Sequence, residues 1–194
     1  MLNYDLGLLT PAEAAHLRKL NVPPPANWIE QGTQVKTILL TKGSVTLGIV
    51  VLPTLAKDMQ ANPTEELRKA ITSAADSLRG KTDLVVALST WGIQAEQNLL
   101  EKPLLDVDLL LGAGQGIGLT GRLMNQDALL WVRVYDKGKA LQRIEILTMP
   151  ARDASGFSWH QGKSISWTTL PLSEKVYSDP SILDIFESLD KNKH

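Results

Sequence analysis

Four glycines, spaced two residues apart, follow an apolar run in DVDLLLGAGQGIGL, residues 106–119. A glycine-rich loop can cradle a phosphate when it joins a strand to a helix. A dinucleotide-binding loop would need a third glycine at Ile117, and no Gly-Lys-Ser or Gly-Lys-Thr of a Walker loop follows. The residues after Gly118 alternate as in a strand, so no helix N-terminus would face the phosphate. The pattern favours a strand-to-strand connection, in which glycine permits positive φ and close backbone approach.

Metal ligands are scarce, because the chain has three histidines and no cysteine. His16 lies on a predicted helix, His194 is the last residue, and no two histidines have the spacing of a metal pair. His160 follows Trp159 in a predicted loop, where it either packs against that ring or forms part of a pocket wall. The sequence predicts no metal site and keeps His160 as a candidate ligand-binding residue.

Ser89 is a candidate nucleophile by position alone. It ends a predicted strand, and α/β sites form at the carboxyl ends of strands. It lacks the Gly-x-Ser-x-Gly elbow, and no histidine is near it in sequence. We therefore predict no catalytic residue in this chain.

Two of the helices that must position these residues have clear start signals. In TPAEAAHLRKL, Thr10 is the predicted cap, Pro11 suits the first helical position and Glu13 completes a capping box. In NPTEELRKAITSAADSLRG, Asn62 is the predicted cap, and an apolar stripe runs along one face until Gly80. The intervening NVPPPAN is expected to be an extended linker, because proline fixes its own φ and restricts the preceding residue.

The strands of the first two thirds of the chain alternate with these helices. A hairpin is predicted around Lys42-Gly43, and its second strand, VTLGIVVLP, is apolar enough for burial on both faces. The strands DLVVALS and DVDLLLG flank a short helix, GIQAEQNLLEK. This β-α-β-α-β order is typical of a parallel or mixed sheet covered by helices.

The order of elements changes after residue 118. LTGRLMN, ALLWVRVYD, KALQRIEILTM and KSISWTTLPL are predicted strands, with Asp136-Lys137-Gly138 as the clearest turn. SDPSILDIFESLDK is a predicted closing helix, capped by Asp179. We expect one α/β domain over residues 1–194, with a mixed β-sheet, flanking helices, a C-terminal run of antiparallel strands and an exit helix at 179–190.

Charge and hydropathy exclude several classes of partner. The formal net charge is −1, with Lys and Arg scattered along the chain, so nothing favours nucleic acid or an anionic membrane surface. No apolar run approaches the roughly 18–20 residues that a membrane span needs. The start, MLNYDLGLLTPAEAAHL, lacks the basic residues and apolar core of a secretory signal.

The segment from Asp83 to Ile146 resembles the metallophosphatase (calcineurin-like phosphoesterase) domain of periplasmic 5'-nucleotidases and UDP-sugar hydrolases. Those proteins carry a strand ending in Ser-His-x-Gly, a helix, a strand reading roughly Asp-x-Ile-x-Gly-Gly-His-Thr-His, and two hairpin strands. DLVVALSTWGIQAEQNLLEKPLLDVDLLLGAGQG has the same order at nearly the same spacing. NYDLGLLTPAE, ANWIEQGTQVKTILLTKGSVTLGIVVLP and YSDPSILDIFESL resemble further segments more weakly. The resemblance implies a partial metallophosphatase-like sandwich that lacks the N-terminal Asp-x-His and Gly-Asp metal motifs and the C-terminal nucleotide-binding domain.

This chain departs from the family pattern at the metal ligands. Thr90 replaces the histidine of Ser-His-x-Gly, and Gly114 and Gly116 replace the two histidines of Gly-His-Thr-His. Pro11-Ala12 replaces the Asn-His pair of Gly-Asn-His-Glu, and Glu13 remains. A two-metal phosphoesterase needs imidazole and carboxylate ligands converging on both ions. The resemblance therefore implies a scaffold that has lost its ligands.

The same resemblance assigns structural roles to the aspartates that begin strands. Asp108 takes the place of an aspartate that starts the corresponding strand in the family, and Asp83 starts the strand before it. Asp106 lies two residues from Asp108 and faces the same side of the strand. None of these carboxylates is expected to do chemistry.

The preferred hypothesis is a non-catalytic metallophosphatase-like domain that acts as a structural, binding or interaction module without metal or cofactor. A ligand would lie at the former site mouth, beside Thr90, Gly112, Gly114 and Gly116, with His160 as a further candidate. The alternative is a metal-dependent phosphoesterase or nucleotide hydrolase, with a divalent metal whose missing ligands come from a removed segment or another chain. A third hypothesis, an unrelated enzyme that binds phosphate at the glycine loop, is disfavoured by the strands that follow.

A sheet without the family's first βαβ unit would expose an edge and an apolar face. We expect either a homodimer or a partner domain across that edge, or a rearranged core that covers it. The resemblance implies a periplasmic protein if an upstream signal has been removed, and the alternative is a cytoplasmic protein.

Overall fold

The computed structural model describes residues 4–56, 62–101, 105–135, 138–150, 157–173 and 180. The predicted exit helix at 179–190 lies outside these residues except for Pro180, and so do Asp136 and Lys137 of the predicted turn. The elements within them follow in chain order: β1 (Gly7–Leu9), α1 (Pro11–Lys19), β2 (Trp28–Glu30), β3 (Lys36–Lys42), β4 (Val45–Val51), α2 (Glu65–Arg79), β5 (Leu84–Ser89), α3 (Ile93–Leu100), β6 (Leu109–Gly112), β7 (Leu119–Met124), β8 (Leu129–Arg133), β9 (Ala140–Ile146) and β10 (Ile165–Pro171).

A six-stranded sheet organises the fold, in the order β3-β4-β5-β6-β8-β7. Its four inner strands run parallel, and the outer strands β3 and β7 run antiparallel to their neighbours. β9 and β10 form a separate antiparallel pair, and β1 and β2 form a short parallel pair. The predicted α/β class, with a mixed sheet, flanking helices and antiparallel C-terminal strands, is confirmed.

The sheet is covered differently on its two faces. α2 and α3 pack on one face, where their apolar residues meet Val50, Val85 and Leu110. The other face, which includes Ile49 and Val51, is covered by residues of β9, β10 and the preceding loop. Because successive residues of β4 alternate between the two clusters, the strand is buried on both sides, as its apolar sequence predicts.

The β9–β10 pair covers the second face only in part. A groove of about 470 Å³ remains between the sheet and β9, lined mainly by aliphatic residues such as Leu40, Leu47, Leu88, Leu111 and Ile146. Several lining residues, such as Ile49, Leu84 and Val86, are themselves buried, so among the described residues the groove is a cleft between packed elements. None of the helices in the described ranges is long and apolar enough to cross a membrane.

One local prediction, the Asn62 cap of α2, was wrong. The start of α2 is capped by Thr64, whose hydroxyl accepts from Leu67 N at 3.2 Å, whereas the Asn62 side chain accepts from Asn98 of α3 at 2.8 Å. After the proline linker, β2 pairs in parallel with β1. That pairing joins two short segments distant in sequence, which no local pattern predicts.

Candidate functional site

The carboxyl ends of β5 and β6 bring most of the predicted site residues together. The strands pair in parallel with Ser89 opposite Gly112, so Thr90 and the glycine loop after β6 lie side by side. Ala113 N donates to Ser89 O at 2.8 Å, and Gly92 N donates to Ala113 O at 3.0 Å. Thr90, Gly112, Gly114 and Gly116 therefore share one edge of the sheet, where ligands bind in open α/β folds.

The interior of the glycine loop is filled by the guanidinium of Arg133, the last residue of β8. Its Nη2 donates to the carbonyls of Ala113, Gly114 and Gln115 at 3.0, 3.2 and 3.3 Å. Its Nε donates to Ile117 O at 3.1 Å. The loop thus turns its carbonyl oxygens inward around a cation, the opposite of the N–H arrangement that binds a phosphate.

The fifth partner of Arg133 is Glu96 of α3, which forms a fully buried ion pair with it. Trp131 Nε1 also donates to the Glu96 carboxylate, at 3.0 Å. Burial raises the pKa of the Glu96 carboxyl, and the hydrogen bonds from Arg133 and Trp131 oppose that rise. Gly112 is required here because a Cβ at that position would collide with the Glu96 carboxylate.

At the start of α3, beside the glycine loop, two backbone N–H groups donate to carbonyls of the loop. Ile93 N, the first of α3, donates to Gln115 O at 3.0 Å, and Gly92 N donates to the loop as described above. Both of these donors are thus used within the protein and are not offered to a phosphate. The geometry agrees with the sequence argument against a phosphate cradle.

Glycine is required in this loop for φ and for space. Gly92, Gly114 and Gly116 have φ of +93°, +81° and +117°. A Cβ at Gly92 would lie 2.7 Å from Gln115 O, and a Cβ at Gly114 would collide with Thr90 O. The loop and the segment after β5 therefore approach each other more closely than side chains would allow.

The Gly114→Ala variant should lose about 2 kcal/mol of unfolding free energy, because it combines a positive φ with a steric collision. Gly43→Ala is the matched control, since Gly43 has φ +59° and open space around its would-be Cβ. It should lose only about 1 kcal/mol. Urea denaturation of both variants measures the difference, and equal losses would show that the close approach at Gly114 contributes nothing.

A cavity of about 280 Å³ opens beside Thr90, at the mouth of the site. Thr10, Gln31, Thr54, Trp91 and Gln115 contribute to its wall. Gln31 is buried, and its Nε2 donates to Leu52 O at 2.7 Å, while its Oε1 accepts from Thr90 Oγ1 at 2.8 Å. The Trp91 indole N–H donates to Pro53 O at 2.5 Å, which fixes one wall of the cavity. We call the cavity lined by Thr10, Gln31, Thr54, Thr90, Trp91 and Gln115 the mouth pocket.

His160 does not belong to this pocket. The Trp159 indole N–H donates to Asp108 O at 3.2 Å, and Asp108 immediately precedes β6. The segment that carries His160 therefore lies at the amino end of β6, whereas the glycine loop lies at the carboxyl end. The His160 side chain is exposed and its Nδ1 is 3.1 Å from Ser158 O.

The aspartates that begin strands have the structural roles that the resemblance implies. Asp108 is buried, and its Oδ2 accepts from Val85 N and Arg79 Nη1, each at 2.7 Å. Asp83 accepts from Thr46 N at 2.7 Å. Ser89 is buried, and its hydroxyl accepts from Trp91 N at 3.1 Å, so its oxygen serves the local turn.

The described ranges contain no group of three or more His, Cys, Asp or Glu residues that could hold a metal ion. At the mouth, Glu13 is paired with Thr10 through both the Thr10 N–H and hydroxyl, each at 2.8 Å, in the predicted capping box. Thr90, Gly114 and Gly116 offer no imidazole or carboxylate. The arrangement supports hydrogen bonding at the mouth pocket, and the described residues there supply no pair of metal ligands.

Sequence reasoning missed Arg133, Glu96, Gln31 and Gln115. A signal existed for the first two, since Arg133 interrupts the apolar run ALLWV and Glu96 adjoins the apolar side of a short helix. Ionised residues within otherwise buried segments require a partner. No signal in the sequence pairs Gln31 with Thr90, because 59 positions separate them.

Comparisons with known proteins support the fold alone. No family model and no curated protein matches the chain. Among solved structures, the sulfate thiohydrolase SoxB of Thermus thermophilus, in complex with glycerol, superposes with a TM-score of 0.64 at 14% identity. That match covers 97% of this chain and 37% of the SoxB chain, so the sequence spans well under two thirds of SoxB.

A hypothetical protein, also from Thermus thermophilus, matches with a TM-score of 0.43 and 15% identity, over 68% of this chain and 53% of that one. The matched part of SoxB has a metallophosphatase-like fold. The chain therefore has a metallophosphatase-like fold, as the resemblance in sequence implies.

Proposed function

We propose that this chain is a non-catalytic domain with a metallophosphatase-like fold, which acts as a binding or interaction module. The observation that carries the proposal is Arg133, whose guanidinium fills the glycine loop that the resemblance places at a metal site. The loop carbonyls already accept hydrogen bonds from this guanidinium, so they are not available as metal ligands. Thr90, Gly114 and Gly116 supply no replacement ligand.

Metal content and hydrolysis test this proposal directly. The 194-residue chain is loaded with Mn²⁺ or Zn²⁺, desalted, and assayed by elemental analysis, calorimetry and hydrolysis of p-nitrophenyl phosphate. We expect neither stoichiometric metal nor turnover above the rate of the same chain without added metal. Tight stoichiometric metal with turnover would contradict the proposal and favour the metal-dependent phosphoesterase.

The second candidate function, a metal-dependent phosphoesterase or nucleotide hydrolase, is favoured by one observation. The match covers only 37% of the SoxB chain, so further ligands could come from another segment or chain. Such ligands would still have to bind metal beside Arg133, where two histidine positions of the family pattern are glycines. For this reason we rank the alternative second.

The interaction half of the proposal rests on the apolar groove beside β9, which the described residues fill only in part. An apolar cleft of this kind can receive an apolar segment of a partner. Its lining is aliphatic on both the sheet and β9 sides. The homodimer or partner domain expected from the sequence stays a prediction.

A further inference from the structure

A buried backbone carbonyl fixes which groups donate and which accept hydrogen bonds in the mouth pocket. Gln31 Nε2 donates to Leu52 O, a carbonyl that can only accept, so the amide orientation is set and Oε1 faces Thr90. The Thr90 hydroxyl must therefore use its single proton on Gln31. What Thr90 retains for a molecule in the pocket is the acceptor capacity of its oxygen.

The two other threonines of the pocket are oriented in the same way. Thr54 Oγ1 donates to Gly32 O at 3.3 Å, and Thr10 Oγ1 donates to Glu13 Oε2 at 2.8 Å. Each hydroxyl thus spends its proton on a protein acceptor. Toward a ligand, these three side-chain oxygens can act only as acceptors, and Thr10 Oγ1, which already accepts from Glu13 N at 3.3 Å, keeps one lone pair for this.

Anions do not fit this pattern. Two N–H groups at the start of α3, those of Gly92 and Ile93, donate to the glycine loop, and the capping box uses the Thr10 and Glu13 N–H groups at the start of α1. Pro11 has no N–H to offer. Arg133, the nearest buried cation, is enclosed by the loop, and Glu13 places a carboxylate beside Thr10.

An uncharged ligand fits both the lining and the size. The described side chains that line the cavity are neutral, so among them a charged ligand would lose its hydration without a counter-ion. The volume of about 280 Å³ is at the low end of the range for small-molecule sites. Gln115 contributes an exposed amide with both donors and acceptors, and Trp91 contributes an apolar wall.

We propose that the mouth pocket binds a neutral, hydroxyl-bearing small molecule of monosaccharide size, whose hydroxyls donate to Thr10, Thr54 and Thr90. This inference rests on the proposed non-catalytic function and names the ligand class of the same site. It assigns the pocket a selectivity opposite to that of a phosphate site, because the protein supplies acceptors in place of donors.

Titration of the ¹⁵N-labelled chain, followed by two-dimensional NMR, tests the proposal. The probes are D-glucose and myo-inositol, and inorganic phosphate and glucose 6-phosphate are the anionic comparisons. We expect the neutral probes to shift the amides of Thr90 and Gln115 and the indole of Trp91, with saturation in the millimolar range. Phosphate should leave these resonances unchanged, and glucose 6-phosphate should bind at least fivefold more weakly than glucose.

Variants separate the pocket from non-specific effects. Gln115→Ala alters an exposed side chain and should weaken binding at least threefold, while Thr90→Val removes one acceptor and should weaken it at least fivefold. Gln34→Ala, an exposed glutamine outside the mouth pocket, is the matched control and should bind as the wild type does. Because Gln115 is on the surface, its variant remains informative even if Thr90→Val does not fold.

Three results would overturn the inference: no shift at these resonances with either neutral probe, tighter binding of phosphate, or equal loss of affinity in Gln34→Ala. These outcomes are distinct from failure of the proposed function, which metal-dependent turnover would show. If the chain binds no metal, is inactive and binds neither glucose nor inositol, the proposed non-catalytic function stands and the proposed ligand class is wrong.

Discussion

Replacing Arg133 by methionine should lower the free energy of unfolding by about 3–5 kcal/mol, the range for breaking one partner of a buried ion pair. The variant leaves the Glu96 carboxylate without its counter-ion, and both side chains of the pair are fully buried in the wild type. It also removes the donor to the carbonyls of Ala113, Gly114, Gln115 and Ile117. Chemical denaturation at neutral pH measures the loss.

The loss should depend on pH with a definite sign. Burial raises the pKa of Glu96 in the folded state, and removing Arg133 removes the main group that opposes this rise. A carboxyl with a raised folded pKa contributes stability that is full below its unfolded pKa and is lost as pH rises through the folded pKa. Arg133→Met should therefore be less destabilising near pH 4 than near pH 7.5.

A double variant separates the ion pair from the loop contacts. In Arg133→Met/Glu96→Leu the uncompensated carboxylate is gone, so part of the stability should return. Full recovery is not expected, because the loop carbonyls still lack a donor. If the double variant matched the wild type, the guanidinium would contribute nothing to holding the loop.

Replacing Asp108 by alanine should lower the free energy of unfolding by about 3 kcal/mol. Its Oδ2 accepts from Arg79 and from the Val85 backbone N–H, and the carboxylate is nearly inaccessible to solvent. In the alanine variant, the buried Val85 N–H loses the Asp108 carboxylate as its acceptor. The variant also takes a buried counter-ion from Arg79, which joins α2 to the start of β6.

Asp106→Ala is the matched control for this prediction. Asp106 pairs with the same Arg79 at 2.7 Å, but its side chain is 57% exposed, against 4% for Asp108. An exposed ion pair contributes little, so the control should lose less than about 1 kcal/mol. Comparable losses in the two variants, measured by thermal or urea unfolding, would show that burial does not decide the contribution.

Local sequence signals determined most of the secondary structure. The capping box of Thr10 and Glu13, the turn at Gly43 and the apolar stripe of α2 each depend on residues within a few positions of one another. Signals of this range predict where a helix or hairpin begins. They do not decide between two neighbouring candidate caps, Asn62 and Thr64. Asn62 instead contacts Asn98 of α3, which is distant in sequence.

At the candidate site, too, local sequence signals predicted some features and the tertiary structure decided others. Sequence alone placed Thr90 and the glycine loop at neighbouring strand ends, because parallel strands in β-α-β order end at one edge of a sheet. It also predicted that the loop is not a phosphate cradle, since a strand follows it. The tertiary structure decided what the loop encloses, because Arg133 reaches it from β8 and Glu96 from α3.

Only the tertiary structure could separate His160 from the other candidate residues. A loop residue has no periodicity that fixes its direction, and the Trp159 contact with Asp108 holds this segment at the amino end of β6. The acceptor pattern of the mouth pocket is also beyond sequence, because it depends on a hydrogen-bond chain from Leu52 through Gln31 to Thr90. Residue types determined the fold class and left no imidazole or carboxylate at Thr90, Gly114 and Gly116, while long-range packing decided which hydrogen-bonding groups line the mouth pocket.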